Sequence, residues 1–260
     1  MASAPQTQPQ LPLFYNDLVP LNSKEHRGFH SRTVDSAPWL AKQHAIPLTA
    51  DEFIQAQRHF PIVFSSGDNP LPLALMGLNE GVNTFLDDNG KITEPVYMPA
   101  YIRRYPWLLA KLTNDTDELS LCYDPTCEAI GDFKEGEPLF DDKGEASEAT
   151  KGVLDFCEKF EQSGARTKQF MEELTSRELL MEGEVSIQAG GDDAKPFLYR
   201  GFQMVNQEKL NELDDETILT FHKNGILALC QAHLMSLDVM RSIFQRQLDQ
   251  GKGPKADAKT

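Results

Sequence analysis

Apolar positions in this chain recur at two periods, and the switches between them sketch an order of elements. Residues 48–60 open on Thr49, carry Asp51 and Glu52 in the first turn, and place Phe53, Ala56, Gln57 and Phe60 at helical steps before Pro61. That is the spacing of a capped helix stopped by proline. Residues 61–65 and 73–78 are short apolar runs, the pattern of buried strands. Residues 82–92 centre on Asp88-Asn89-Gly90, and Asn-Gly supplies the positive φ of a hairpin turn. A helix is predicted over 101–112, after Pro99, and a strand over 119–123, closed by Asp124-Pro125.

Ser147 and Glu148 precede a helical pattern with Val153, Phe156, Cys157 and Phe160 on one face. Ser163-Gly164 predicts a break, with a second helix over 167–181. Strands follow over 183–188 and 197–205, around a turn at Gly190-Gly191-Asp192-Asp193. After Gly225, the residues Ile226, Leu229, Cys230, His233, Leu237, Met240 and Phe244 form an apolar stripe on a helix of about six turns. A stripe this wide belongs to a core helix. Residues 1–10 are rich in Pro and Gln, and 250–260 are small and polar, so both ends are expected to be mobile tails. Between them, 11–249 reads as a single α+β domain, a mostly antiparallel sheet packed by helices with a long C-terminal core helix.

Composition narrows the partners. The 260 residues carry a formal net charge of −15, with no segregated basic patch, which disfavours nucleic acid and anionic lipid. No window reaches the roughly 18 continuous apolar residues of a membrane span. Residues 1–10 have neither the basic start nor the apolar core of a secretory signal. A cytoplasmic location is expected, with export to the cell surface by a route independent of a signal peptide as the alternative. Cys122, Cys127, Cys157 and Cys230 are scattered, without a Cys-x-x-Cys, and read as reduced structural thiols. Residues 111–148 hold twelve acidic residues against three lysines, a balance of −9, expected to be solvated surface.

Familiar catalytic and cofactor motifs are missing. His26 and His30 have i,i+4 spacing, but Gly28 lies between them and no Glu completes a zinc-protease pattern. His233 falls on the apolar stripe and is expected to be a hydrogen-bonded core histidine. Asp87-Asp88-Asn89-Gly90 and Asp141-Asp142-Lys143-Gly144 resemble calcium loops. Aligning each Gly on the sixth position puts Phe85 or Leu139 first, however, so both are predicted to be ordinary turns. Phosphate-binding glycine motifs and a G-x-S-x-G elbow are absent. No catalytic residue, metal site or cofactor is assigned. One stretch concentrates recognition chemistry: Arg103 and Arg104 bracketed by Tyr101, Tyr105 and Trp107. Guanidinium forks beside aromatic faces suit a small anionic ligand or a protein partner, and equally suit an internal ion-pair and packing node.

The same stretch, Pro99-Ala-Tyr-Ile-Arg-Arg-Tyr-Pro106, also carries a resemblance. Together with Pro20-Leu21-Asn22, residues 60–64, Leu78-Asn79-Glu80-Gly81-Val82-Asn83-Thr84-Phe85-Leu86, and weaker echoes at 138–140, 201–202 and the terminal helix, it resembles the SapC family of bacterial proteins over about residues 12–247. The resemblance implies a link to a bacterial surface layer and supplies no catalytic residues. Three functions stand open: a non-catalytic cytoplasmic protein binding a small molecule or partner, a surface-layer component, and an enzyme with a site assembled from distant residues.

Overall fold

The computed structural model describes residues 11–112, 118–188 and 196–253. The expected turn at 190–193, residues 1–10 and residues 254–260 lie outside them. In chain order the strands are β1 (Val19–Pro20), β2 (His30–Ser31), β3 (Ala45–Pro47), β4 (Ile62–Phe64), β5 (Pro72–Leu75), β6 (Trp107–Lys111), β7 (Leu119–Tyr123), β8 (Ile130–Gly131), β9 (Glu137–Pro138), β10 (Leu180–Ile187) and β11 (Phe197–Val205). The helices are α1 (Phe53–Ala56), α2 (Ala100–Arg104), α3 (Glu148–Ser176), α4 (Gln207–Asn211), α5 (Asp215–Asn224), α6 (Ile226–Ser236) and α7 (Val239–Asp249). Every strand pairing among the described residues is antiparallel, so the chain is α+β as its patterning predicts.

The chain divides into two compact units. The first comprises residues 1–35 and 104–158; the second comprises 36–103 and 159–260. The first holds two small sheets, in the orders β1-β7-β6 and β8-β2-β9. Its core is Trp107, Leu109, Tyr123, Ile130, Leu139 and Cys157. Asp141 orders its last loop: its carboxylate accepts from the backbone N–H of Lys143 and Glu145, both at 2.9 Å, and Gly144 turns the chain at φ +81°.

The second unit is built on a five-stranded sheet in the order β10-β11-β4-β5-β3. Phe53, Phe60, Phe64 and Phe221 are almost completely buried in it. Phe64 stacks on the His233 ring at 4.6 Å, and Phe53 meets Phe170 edge-on at 5.7 Å. The turn at 87–91 repeats the geometry of the one at 141–145: the Asp87 carboxylate accepts from Asn89 and Lys91 N–H. Gly90 is required there twice over. Its φ is +78°, and a Cβ would stand 2.4 Å from the Pro38 nitrogen. The predicted hairpin reduces to this turn and one bridge, Leu86 to Ile92.

Three expectations are corrected. The helix over 101–112 ends at Arg104, and Trp107–Lys111 is a strand paired with β7. Pro106 offers no N–H to a helix, and the alternation of buried and half-buried residues along β6 is that of a sheet. The break at Ser163-Gly164 does not occur, because α3 runs unbroken for 29 residues. It then stops at Ser176 rather than 181. Glu178 takes the left-handed conformation (φ 54°), Leu179 N–H donates to the Leu174 carbonyl and Glu178 N–H to that of Thr175. That is a Schellman stop built without glycine, which removes the usual signal from the sequence.

The long C-terminal helix spans Ile226–Asp249, with a turn at Leu237–Asp238 between α6 and α7. By length and mean hydropathy this segment resembles a membrane-crossing helix, a feature that counting continuous apolar residues does not detect. Three of its polar side chains are nevertheless matched to the fold. Ser236 Oγ accepts from Ile62 N–H at 2.9 Å, His233 Nε2 from Val205 N–H at 3.1 Å, and Gln247 Oε1 from Leu78 N–H at 2.6 Å. Gln247 also donates to the Lys252 carbonyl, so residues 250–253 continue the hydrogen-bonded structure that the sequence assigns to a tail.

Candidate functional site

The boundary between the units falls between Arg103 and Arg104, so the five residues singled out in the sequence divide between them. In the second unit, Arg103 is exposed and its Nε donates to the Met98 carbonyl at 3.0 Å. Tyr101 is buried, its ring 6.2 Å from that of Phe160. In the first unit, Arg104 is 5% exposed, with its guanidinium carbon 6.0 Å from the centre of the Tyr15 ring. Trp107 is a core residue of β6 and its carbonyl accepts from the Tyr15 hydroxyl. The Tyr105 hydroxyl lies 3.5 Å from Asp124 Oδ2. Burial, then the neighbouring Cys127 and Asp124, push that phenol well above its ordinary range.

Asp124 itself is fully buried and accepts from Asn16 N–H at 2.8 Å, Thr126 N–H at 2.8 Å and the Thr126 hydroxyl at 2.7 Å. It ties the first strand region to the 124–126 turn. The histidines follow a similar pattern. His26 Nδ1 accepts from Asn22 N–H at 3.2 Å, and its ring packs edge-on to Phe29 and Tyr123. His30 lies on β2, so the two are not on one helix face. Among the described residues no three His, Cys, Asp or Glu side chains gather where a metal ion would be held.

The second unit contains a groove that no motif announces. It has a volume of about 650 Å³ and is mainly apolar. One wall is formed by residues of α3 from Phe160 to Ser176; the other comes from Pro47–Thr49 and Asp68–Pro72, with Tyr101 contributing from α2. Glu52 fixes this geometry. Its buried carboxylate accepts from Thr49 N–H (3.0 Å) and the Thr49 hydroxyl (2.8 Å), the reciprocal half of the predicted capping box. Its other oxygen accepts from the Tyr97 hydroxyl (2.9 Å) and from Ala100 N–H (2.6 Å). One carboxylate thus binds the start of the 50–56 helical turns to the start of α2 and so sets Tyr101 against Phe160. The Tyr97 phenol is pushed up to about 12, by burial first and by the Glu52 charge second.

Two further clefts carry charged residues in their lining. One of about 560 Å³ flanks α3 beside the Asp51–Arg166 ion pair, with Gln169, Glu173 and Asn224 around it. The other, about 670 Å³ in the first unit, is formed by loops at 31–33 and 132–137, where Arg32 lies over the Phe133 ring at 4.1 Å. Their charged groups sit in surface loops or are paired at the surface, and neither cleft has a buried polar group directed into it.

The arrangement is that of an α+β protein with a preformed apolar groove and no gathered catalytic constellation among the described residues. The SapC family model matches residues 21–243, and the chain belongs to the SapC family. No curated protein and no solved structure matches it.

Proposed function

We propose that this chain is a non-catalytic binding protein, acting in the cytoplasm, that holds a small molecule in the groove of its second unit. The observation that carries the reading is Gly164. A glycine in the interior of a helix costs about 1 kcal/mol relative to alanine, and it persists where something must come close. A Cβ at Gly164, as at Gly152 earlier in α3, would meet nothing within 4 Å, but Gly164 lines the groove and Gly152 does not. The groove's volume lies within the roughly 300–1,000 Å³ of small-molecule sites.

Arg103 supports a second reading. Its exposed guanidinium, two residues beyond Tyr101, suits an anionic ligand or an acidic partner surface. The surface-layer role implied by the family's name draws support from membership alone.

The test is a chemically diverse panel screened by thermal shift against the native chain, Gly164→Leu and Arg103→Ala. A Cβ there has room and leucine favours helix, so the variant should fold with undiminished Tm while losing the shifts seen with the native chain. Shifts that persist in Gly164→Leu and vanish in Arg103→Ala would move the site to the arginine. Absence of any compound sensitive to Gly164→Leu would end the groove reading.

A further inference from the structure

Resting on that reading, we infer that the groove takes a single extended aliphatic chain bearing an uncharged head group. Three features of the groove lead there. The first is that the Pro47–Thr49 and Pro70–Pro72 stretches of its wall have few backbone donors left to give. Leu48 N–H donates to the Pro72 carbonyl, Thr49 N–H to Glu52 and Leu71 N–H to the Ser65 hydroxyl, while Pro47, Pro70 and Pro72 have no N–H to give. Two of the buried hydroxyls of the wall are also committed: Thr49 donates to Glu52, and Thr167 donates to the Ser163 carbonyl while accepting from Ala50 N–H. A peptide strand or a sugar lying along these stretches would strip water from its own polar groups and find few backbone donors to replace it, which is unfavourable. A hydrocarbon chain loses nothing by entering.

The second feature is the shape. The lining residues of α3 run from Phe160 to Ser176, sixteen steps that span about 24 Å at a rise of 1.5 Å each. A single alkyl or isoprenoid chain laid along this side of α3 would follow the groove over that length.

The third feature is charge. The charged groups at the rim are Asp68, Lys168 and Glu172, and Lys168 is already 3.7 Å from Glu172. In a chain of net charge −15 this rim gives no advantage to an anionic head. An alcohol or ester head, left in water at the rim, costs nothing.

The experiment uses the full-length protein titrated with straight-chain alcohols of increasing length, and with palmitate beside hexadecanol, all delivered from cyclodextrin. Affinity for the alcohols should rise roughly two- to fourfold per methylene, as expected for progressive burial, until the groove is full. Hexadecanol should bind at least as tightly as palmitate, and Gly164→Leu should weaken every chain by about tenfold or more, with Gly164→Ala in between. Affinity independent of chain length, or unchanged in Gly164→Leu, overturns the assignment. Should the diverse panel yield compounds that depend on Gly164 but are polar, the groove remains the ligand site and the aliphatic chain is wrong.

Discussion

Glu52 shows how much a single side chain contributes when four donors converge on it. Both its oxygens accept a backbone N–H, from Thr49 and Ala100, and both accept a hydroxyl. Removing the carboxylate leaves those buried donors without partners, at about 1–3 kcal/mol for each that water cannot reach. Glu52→Ala should therefore lose at least about 3 kcal/mol of stability in urea titrations, whereas Tyr97→Phe, which removes one hydroxyl donor, should lose about 1 kcal/mol. Equal losses in the two variants would show that the carboxylate is not the centre of the network. The sequence disclosed half of this arrangement. Thr49-x-x-Glu52 is a local signature, readable because donor and acceptor are three residues apart. That Tyr97 and Ala100 complete it depends on a contact spanning more than forty residues, which no spacing rule encodes. The same limit applies to Arg103 and Arg104: adjacency in sequence identified them, but one is exposed and the other buried.

Among the elements, α3 departs most from what its sequence predicts. Gly164 reads as a breaker and Glu178 carries no stop signal, yet the helix continues through the first and ends before the second. The physical reason is that packing outweighs propensity. Phe170 and Leu174 are almost fully buried, and Thr167 is bonded to Ala50, so the second half of α3 is held by the sheet whatever Gly164 prefers locally. If that is right, Gly164→Ala should raise stability by about 1 kcal/mol, a Tm increase of roughly 2–4 °C by calorimetry, because the added methyl meets nothing. A lower Tm would mean that the groove wall is tighter than the geometry shows. Strand β6 makes the complementary point. Trp107-Leu-Leu-Ala-Lys111 is compatible with helix or strand by composition, and pairing with β7 decides it.

For the molecule as a whole, the buried histidine of the C-terminal helix ties stability to pH. His233 is completely buried, and burial holds its pKa down to about 4, against about 6.5 in the unfolded chain. The unfolded state therefore binds the proton first as pH falls. The stabilisation is complete above about pH 6.5 and is lost progressively toward pH 4, at up to roughly 1.4 kcal/mol per pH unit and about 3 kcal/mol in all. His233→Gln keeps an acceptor for Val205 N–H without a titrating group. Its stability, followed by denaturant unfolding from pH 7.5 to pH 4.5, should fall less steeply than that of the native chain; identical slopes would refute the link. Much of this molecule was determined by sequence alone: the α+β class, the capped turn at Thr49, the two Asp-based turns and the core histidine all follow from local spacing and from which side chains avoid water. Only the tertiary structure decided the division into two units, the continuity of α3 and the groove beneath Gly164, because each depends on residues distant in sequence packing together, and an empty volume has no letters of its own.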